Sequence, residues 1–180
     1  MESVPQPTLD AKTIDTLCNL VAEFITQERA RYLTDARPLD STIRKSLEPF
    51  FRKQILDNTL FSPARPRLRN PDFYPQLKKM GVHGLVDFSA VAAITYNDVI
   101  VHQEKLSPRL AFHELVHAEQ YSQLGLEGFV RQYILGFLNE GSYEAIPLEA
   151  QAYALDTQFH VRQNHVFSVQ EEVKKLQPVY

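Results

Sequence analysis

The stretch from Ser107 to Gly125 constrains this chain more than any other. Ser107 suits a helix N-cap, Pro108 suits the first helical position and Gly125 supplies a stop, so the spacing predicts a helix between them. Inside it lies His113-Glu114-Leu115-Val116-His117. Four-residue spacing puts both imidazoles on one helical face, within reach of a single metal ion, and leaves Glu114 beside that ion rather than on it. Two neutral imidazoles fall short of the four ligands Zn²⁺ usually takes. The pattern therefore requires a third protein ligand elsewhere and an open position for water.

Gln120 and Gln123 stand where a metzincin needs glycine and histidine, which excludes that arrangement. Four residues remain as candidates for the third ligand. His160 and His165 lie near the end of a helical pattern, and Glu144 precedes Pro147 on an expected loop. Glu149 is favoured over these. Pro147 opens a helix that continues to about residue 162, and the helix and turn between residues 126 and 146 let this second helix return with a carboxylate.

The rest of the chain reads as support. Asp10 caps a helix to about Tyr32, with an apolar stripe of Ile14, Leu17, Leu20, Val21, Phe24 and Ile25. A second helical stretch begins near Asp40 or Ser41 and is kinked or split by Pro49, its later part carrying Phe50, Phe51, Ile55 and Leu56. Prolines at 63, 66, 71 and 75 predict a loop-rich connection from Asn58 to His83, with a short extended piece at Arg67 to Arg69. Val91 to Tyr96 and Val99 to Gln103 read as strands joined by an Asn97-Asp98 hairpin turn. A helix from about Leu126 to Asn139 ends at Gly141, and Ser168 with Glu171 signals a last short helix.

Composition sets the outer limits. At 180 residues the chain forms one domain by default, and its 44% hydrophobic and 23% charged residues are ordinary for a globular protein. A formal charge of -3, and an arginine cluster confined to Arg65, Arg67 and Arg69, argue against a nucleic-acid partner. Cys18 lies in an apolar helical pattern and reads as a buried structural thiol. The first residues show neither a basic nor an apolar leader region, and no apolar run is long enough to span a bilayer, so a cytoplasmic location and no membrane partner are expected.

The motif helix followed by a separate glutamate helix, Pro147-Leu148-Glu149-Ala150-Gln151-Ala152-Tyr153-Ala154, resembles the gluzincin group of zinc metallopeptidases. In size the chain is similar to the minimal-length members called minigluzincins. The likeness covers about residues 85 to 160. It implies one zinc ion, His113, His117 and Glu149 as ligands, Glu114 as general base or acid, and a peptide or protein substrate. It also implies that the strand before the motif helix aligns an extended substrate, which here points to Ala92, Ala93 and Ile94. The implied fold is α+β and mostly helical, a zincin-like core over residues 61–165 with a small hairpin or sheet beside the two site helices. The helix signals themselves, outside the likeness, lead us to expect residues 1–60 as a helical layer packed on that core and residues 166–180 as a tail with a short helix. One position departs from the group: Tyr153 stands where many gluzincins carry the aspartate that orients the first histidine, with Asp156 one turn further as the fallback.

The chemistry expected of such a site is hydrolysis of a peptide bond, with Glu114 taking a proton from water and returning it to the leaving amine. Tyr143, Tyr153 and His160 are the candidate donors to the oxyanion, in that order. Three other readings compete: a non-catalytic zinc-containing peptide-binding module, hydrolysis of a non-peptide amide, and a latent enzyme whose tail from His165 to Tyr180 covers the cleft. Intact Glu114 speaks against the first.

Overall fold

The computed structural model describes residues 6–161 and 165–176. Helix α1 (Ala11–Leu33) starts where the Asp10 carboxylate accepts from the Thr13 amide, and it buries Leu17, Phe24, Ile25 and Tyr32. Strand β1 (Arg37–Pro38) leads to α2 (Ser41–Leu47), capped by Asp40, and then to α3 (Lys53–Asn58). The stretch at Pro49 is split rather than kinked. Phe50 and Phe51 lie in the turn between the two helices, not on the later one, and both are buried.

The Asn58–His83 stretch is more ordered than its prolines predict. It contributes β2 (Leu60–Pro63) and α4 (Tyr74–Lys79), whereas residues 67–69 form no strand. The hairpin follows as β3 (Ala93–Tyr96) and β4 (Val99–His102), turned at Asn97 in the left-handed region, with φ 61°. Asparagine tolerates that conformation better than most residues. The four strands form one mixed sheet in the order β1-β2-β4-β3, with β2 and β4 parallel and the other pairs antiparallel. Strand β3 is therefore an edge.

Helix α5 (Pro108–Glu140) passes against this sheet. Ser107 caps it, accepting from the Leu110 amide, and the predicted stop at Gly125 is a kink: φ 70° and ψ 170° interrupt the helix, which resumes and ends at Gly141. Every residue from Ala111 to Tyr121 is buried, so the first arm of α5 is covered on all sides. It separates two apolar clusters. The β4 side chains alternate between them, Val99 and Val101 with α1 and Ile100 with Phe61, Phe112 and Leu115, as the two-residue period of a strand requires.

Helix α6 (Pro147–Val161) lies on α5. A Cβ placed on Gly136 would stand 2.7 Å from Pro147 Cδ, so the second arm of α5 meets the start of α6 at a distance only glycine allows. Helix α7 (Val169–Val173), capped by Ser168 as predicted, buries Val169 and Val173 in the Phe112 cluster, and the Val169 amide donates to the Phe50 carbonyl. Tyr180 and residues 162–164 lie outside the described residues. No described helix is long and apolar enough to cross a membrane.

Candidate metal centre

Burying the first arm of α5 takes His113, Glu114, His117, Glu119 and Gln120 out of water together. Each must find partners inside the protein or destabilise the fold. Glu119 accepts from Arg52 at 3.0 Å and from Gln123 at 2.8 Å. Glu114 Oε2 accepts from the Thr95 hydroxyl at 2.7 Å, and the same hydroxyl lies 3.1 Å from the Glu114 carbonyl, which ties the motif glutamate to β3.

The histidines are held through their Nδ1 atoms. His113 Nδ1 lies 3.0 Å from Asp156 Oδ2, and Asp156 Oδ1 in turn accepts from Arg109 Nη2 at 2.8 Å. His117 Nδ1 lies 2.8 Å from Gln120 Oε1. The Gln120 amide is fixed in that orientation because its Nε2 donates to the Leu148 carbonyl at 2.9 Å and to Gln151 Oε1 at 3.0 Å. Both Nδ1 atoms thus face acceptors, so in the neutral rings that a metal ion requires the proton sits on Nδ1 and both Nε2 atoms offer lone pairs.

Those lone pairs converge. His113 Nε2 and His117 Nε2 are 3.2 Å apart, and Glu149 Oε2 lies 3.7 Å from the first and 3.4 Å from the second. Glu149 Oε2 is buried and has no hydrogen-bond partner among the described residues. Three acceptors meeting without a donor leave room for a cation. A tetrahedral ion with ligand distances near 2.0–2.1 Å separates its ligand atoms by about 3.3 Å, and the three observed edges lie close to that length. His113, His117 and Glu149 form a buried group that could hold a metal ion.

The electrostatics agree with the geometry. Burial disfavours a proton on His113, but the hydrogen-bonded Asp156 carboxylate and the nearby Glu149 and Glu114 carboxylates outweigh it and raise the pKa to about 10. His117 is also raised, with Glu149 overcoming burial. Burial pushes the Glu149 carboxyl up, but His117 and His113 pull it down to about 2. The cluster thus favours positive charge at its centre, where a metal ion and protons compete.

The structure brings Glu149, rather than Glu144, His160 or His165, to the two histidines, and Asp156, rather than Tyr153, to His113 Nδ1. Tyr153 instead lays its ring against His113, with centroids 4.6 Å apart, and is 40% exposed. Tyr143 lines the same cavity as Glu114, His117 and Glu149. Burial and the Glu149 charge raise its phenol, as they do that of Tyr153. His160 is exposed in the last turn of α6. Ala93 and Ile94 open β3, while Ala92 precedes it and its carbonyl accepts from the Gln103 amide. No described residue of the tail lines the cavity.

Thr95, Arg109 and Gln120 were not foreseen as parts of the site. Gln120 carried a signal, since it lies three residues after His117 on the same helical face. Thr95 and Arg109 meet their partners across 19 and 47 positions, and no local pattern marks them. No family model, curated protein or solved structure matches this chain.

Proposed function

We propose that this protein is a zinc-dependent hydrolase that cleaves peptide bonds. The observation that carries the reading is the convergence of His113 Nε2, His117 Nε2 and the unpartnered Glu149 Oε2, with a second carboxylate, Glu114, held beside them. Nitrogen and carboxylate donors in a set of three suit zinc with one position open. Zinc held there would supply Lewis acidity, which acidifies water and polarises a carbonyl. A purely structural centre would have no use for Glu114.

The chain's own residues divide the remaining work. Thr95 holds Glu114 through Oε2, and the Glu114 carboxylate takes a proton from the attacking water and later delivers it to the leaving amine. Asp156 and Gln120 fix the rotation and tautomer of the two imidazoles. Tyr143 leads the candidates for donation to the developing oxyanion because it lines the cavity with Glu114 and Glu149 and burial keeps its hydroxyl protonated. The free edge of β3 gives an extended substrate a backbone to pair with, close to Glu114. These features, with the two-helix ligand pattern, support a gluzincin-like site.

A peptide-library digest tests the reading. The zinc-loaded full chain should cut peptides, and Glu114→Gln should bind zinc equally well yet lose at least about a hundredfold in rate, because it removes the base and keeps the shape. Equal cutting by both proteins would remove Glu114 from the mechanism.

A further inference from the structure

Glu114 follows His113 in the chain and lines the same cavity as His117 and Glu149, yet it falls outside the cluster whose ligand atoms all lie within 4.8 Å of one another. Glu149 Oε2 comes within 3.7 Å of both imidazole Nε2 atoms, whereas Glu114 forms no ion pair with either ring among the described residues. That separation needs a cause. Two neutral imidazoles and one carboxylate leave a divalent ion with one positive charge unmatched, and a second carboxylate nearby is drawn to cancel it and to fill the fourth position. Filling that position would turn an open centre into a closed, structural one.

One hydroxyl opposes that attraction. Thr95 Oγ1 lies 2.7 Å from Glu114 Oε2 and 3.1 Å from the Glu114 backbone carbonyl, so a single β3 side chain meets both ends of the residue. It makes the only hydrogen bond to the Glu114 carboxylate among the described residues. Both residues are buried, so water competes little for the contact, and a hydrogen bond to a carboxylate in such surroundings is among the stronger ones. From these contacts we infer that Thr95 is a positioning residue that keeps Glu114 out of the ligand set, and so keeps the fourth coordination position open. Without the Thr95 hydroxyl, Glu114 moves onto the ion as a fourth ligand and the centre closes. The proposal rests on the ligand set of the proposed function and not on peptide cleavage.

Co²⁺ in place of Zn²⁺ in the full chain tests this without any turnover, because its visible absorption shifts when azide takes an open position. The native protein should show that shift. Thr95→Val and Thr95→Ala, which remove the hydroxyl in two shapes, should hold Co²⁺ at least as tightly as the native chain yet bind azide at least about tenfold more weakly. Thr95→Ser keeps the hydroxyl and should bind azide as the native chain does. Adding Glu114→Ala to Thr95→Val should restore the azide response, since it removes the added ligand. Native azide affinity in both hydroxyl-free variants overturns the proposal, as does loss of Co²⁺ from both, a weak response in Thr95→Ser, or a response that stays weak in the double variant. A native chain that holds Co²⁺ without answering azide overturns it too, because its fourth position is already closed. A native chain that answers azide and cuts no peptide keeps the role of Thr95 and removes the hydrolase, and one that takes up no Co²⁺ removes the centre and the proposal together.

Discussion

Asp156 shows how much of the site depends on one side chain outside the ligand set. It joins His113 Nδ1 to Arg109, so the ring is held by an ion pair that is itself anchored on the first turn of α5. Asp156→Asn keeps the size but exchanges a charged acceptor for an amide that can present its NH₂ group to the ring. Zinc affinity should fall about ten- to a hundredfold, with little change in unfolding midpoint, as measured by competition with a chromogenic chelator. Affinity equal to the native value would show that His113 needs no partner. The geometry also explains why Asp156 takes this role. At about 100° per residue, a position seven after Glu149 falls about 20° from it around the helix, whereas Tyr153, four after, falls about 40° away on the other side. The four-residue rule pointed to Tyr153; the full helical period, together with the lean of α6 on α5, favours Asp156.

Helices α5 and α6 carry every proposed ligand, and the local sequence declares both. Caps at Ser107 and Pro108, the break at Gly125 and Pro147 at the start of α6 are signals that act within a few residues, so their positions were legible. Strand β2 was not. It exists because Leu60 pairs with Val99 across a parallel ladder, and such a partner leaves no mark on the strand's own pattern, least of all between prolines. The angle between α5 and α6 was equally silent. It depends on Gly136, where the added methyl of alanine would meet Pro147 Cδ at 2.7 Å. Gly136→Ala should cost about 1–3 kcal/mol in denaturant unfolding and, by shifting the turn of α6 that bears Glu149, weaken zinc binding as well. A variant as stable and as tightly zinc-binding as the native chain would mean that the contact is slack.

Across the whole molecule, a buried helix of polar residues is made tolerable by partners drawn from several elements. Thr95 comes from β3, Asp156 from α6, and Arg52 from the residue just before α3. Two apolar clusters clamp α5 between them, so the site is set before any ion arrives. Against that background Glu149 Oε2 stands buried without a hydrogen-bond partner among the described residues, and a bound ion would supply one. The most direct test is the zinc content and zinc affinity of the purified full chain beside those of Glu149→Ala. The native protein should bind one zinc per chain and lose thermal stability when a chelator removes it, and Glu149→Ala should bind zinc more than about a hundredfold more weakly while remaining folded. No zinc in the native chain, or undiminished affinity in the variant, would contradict the account.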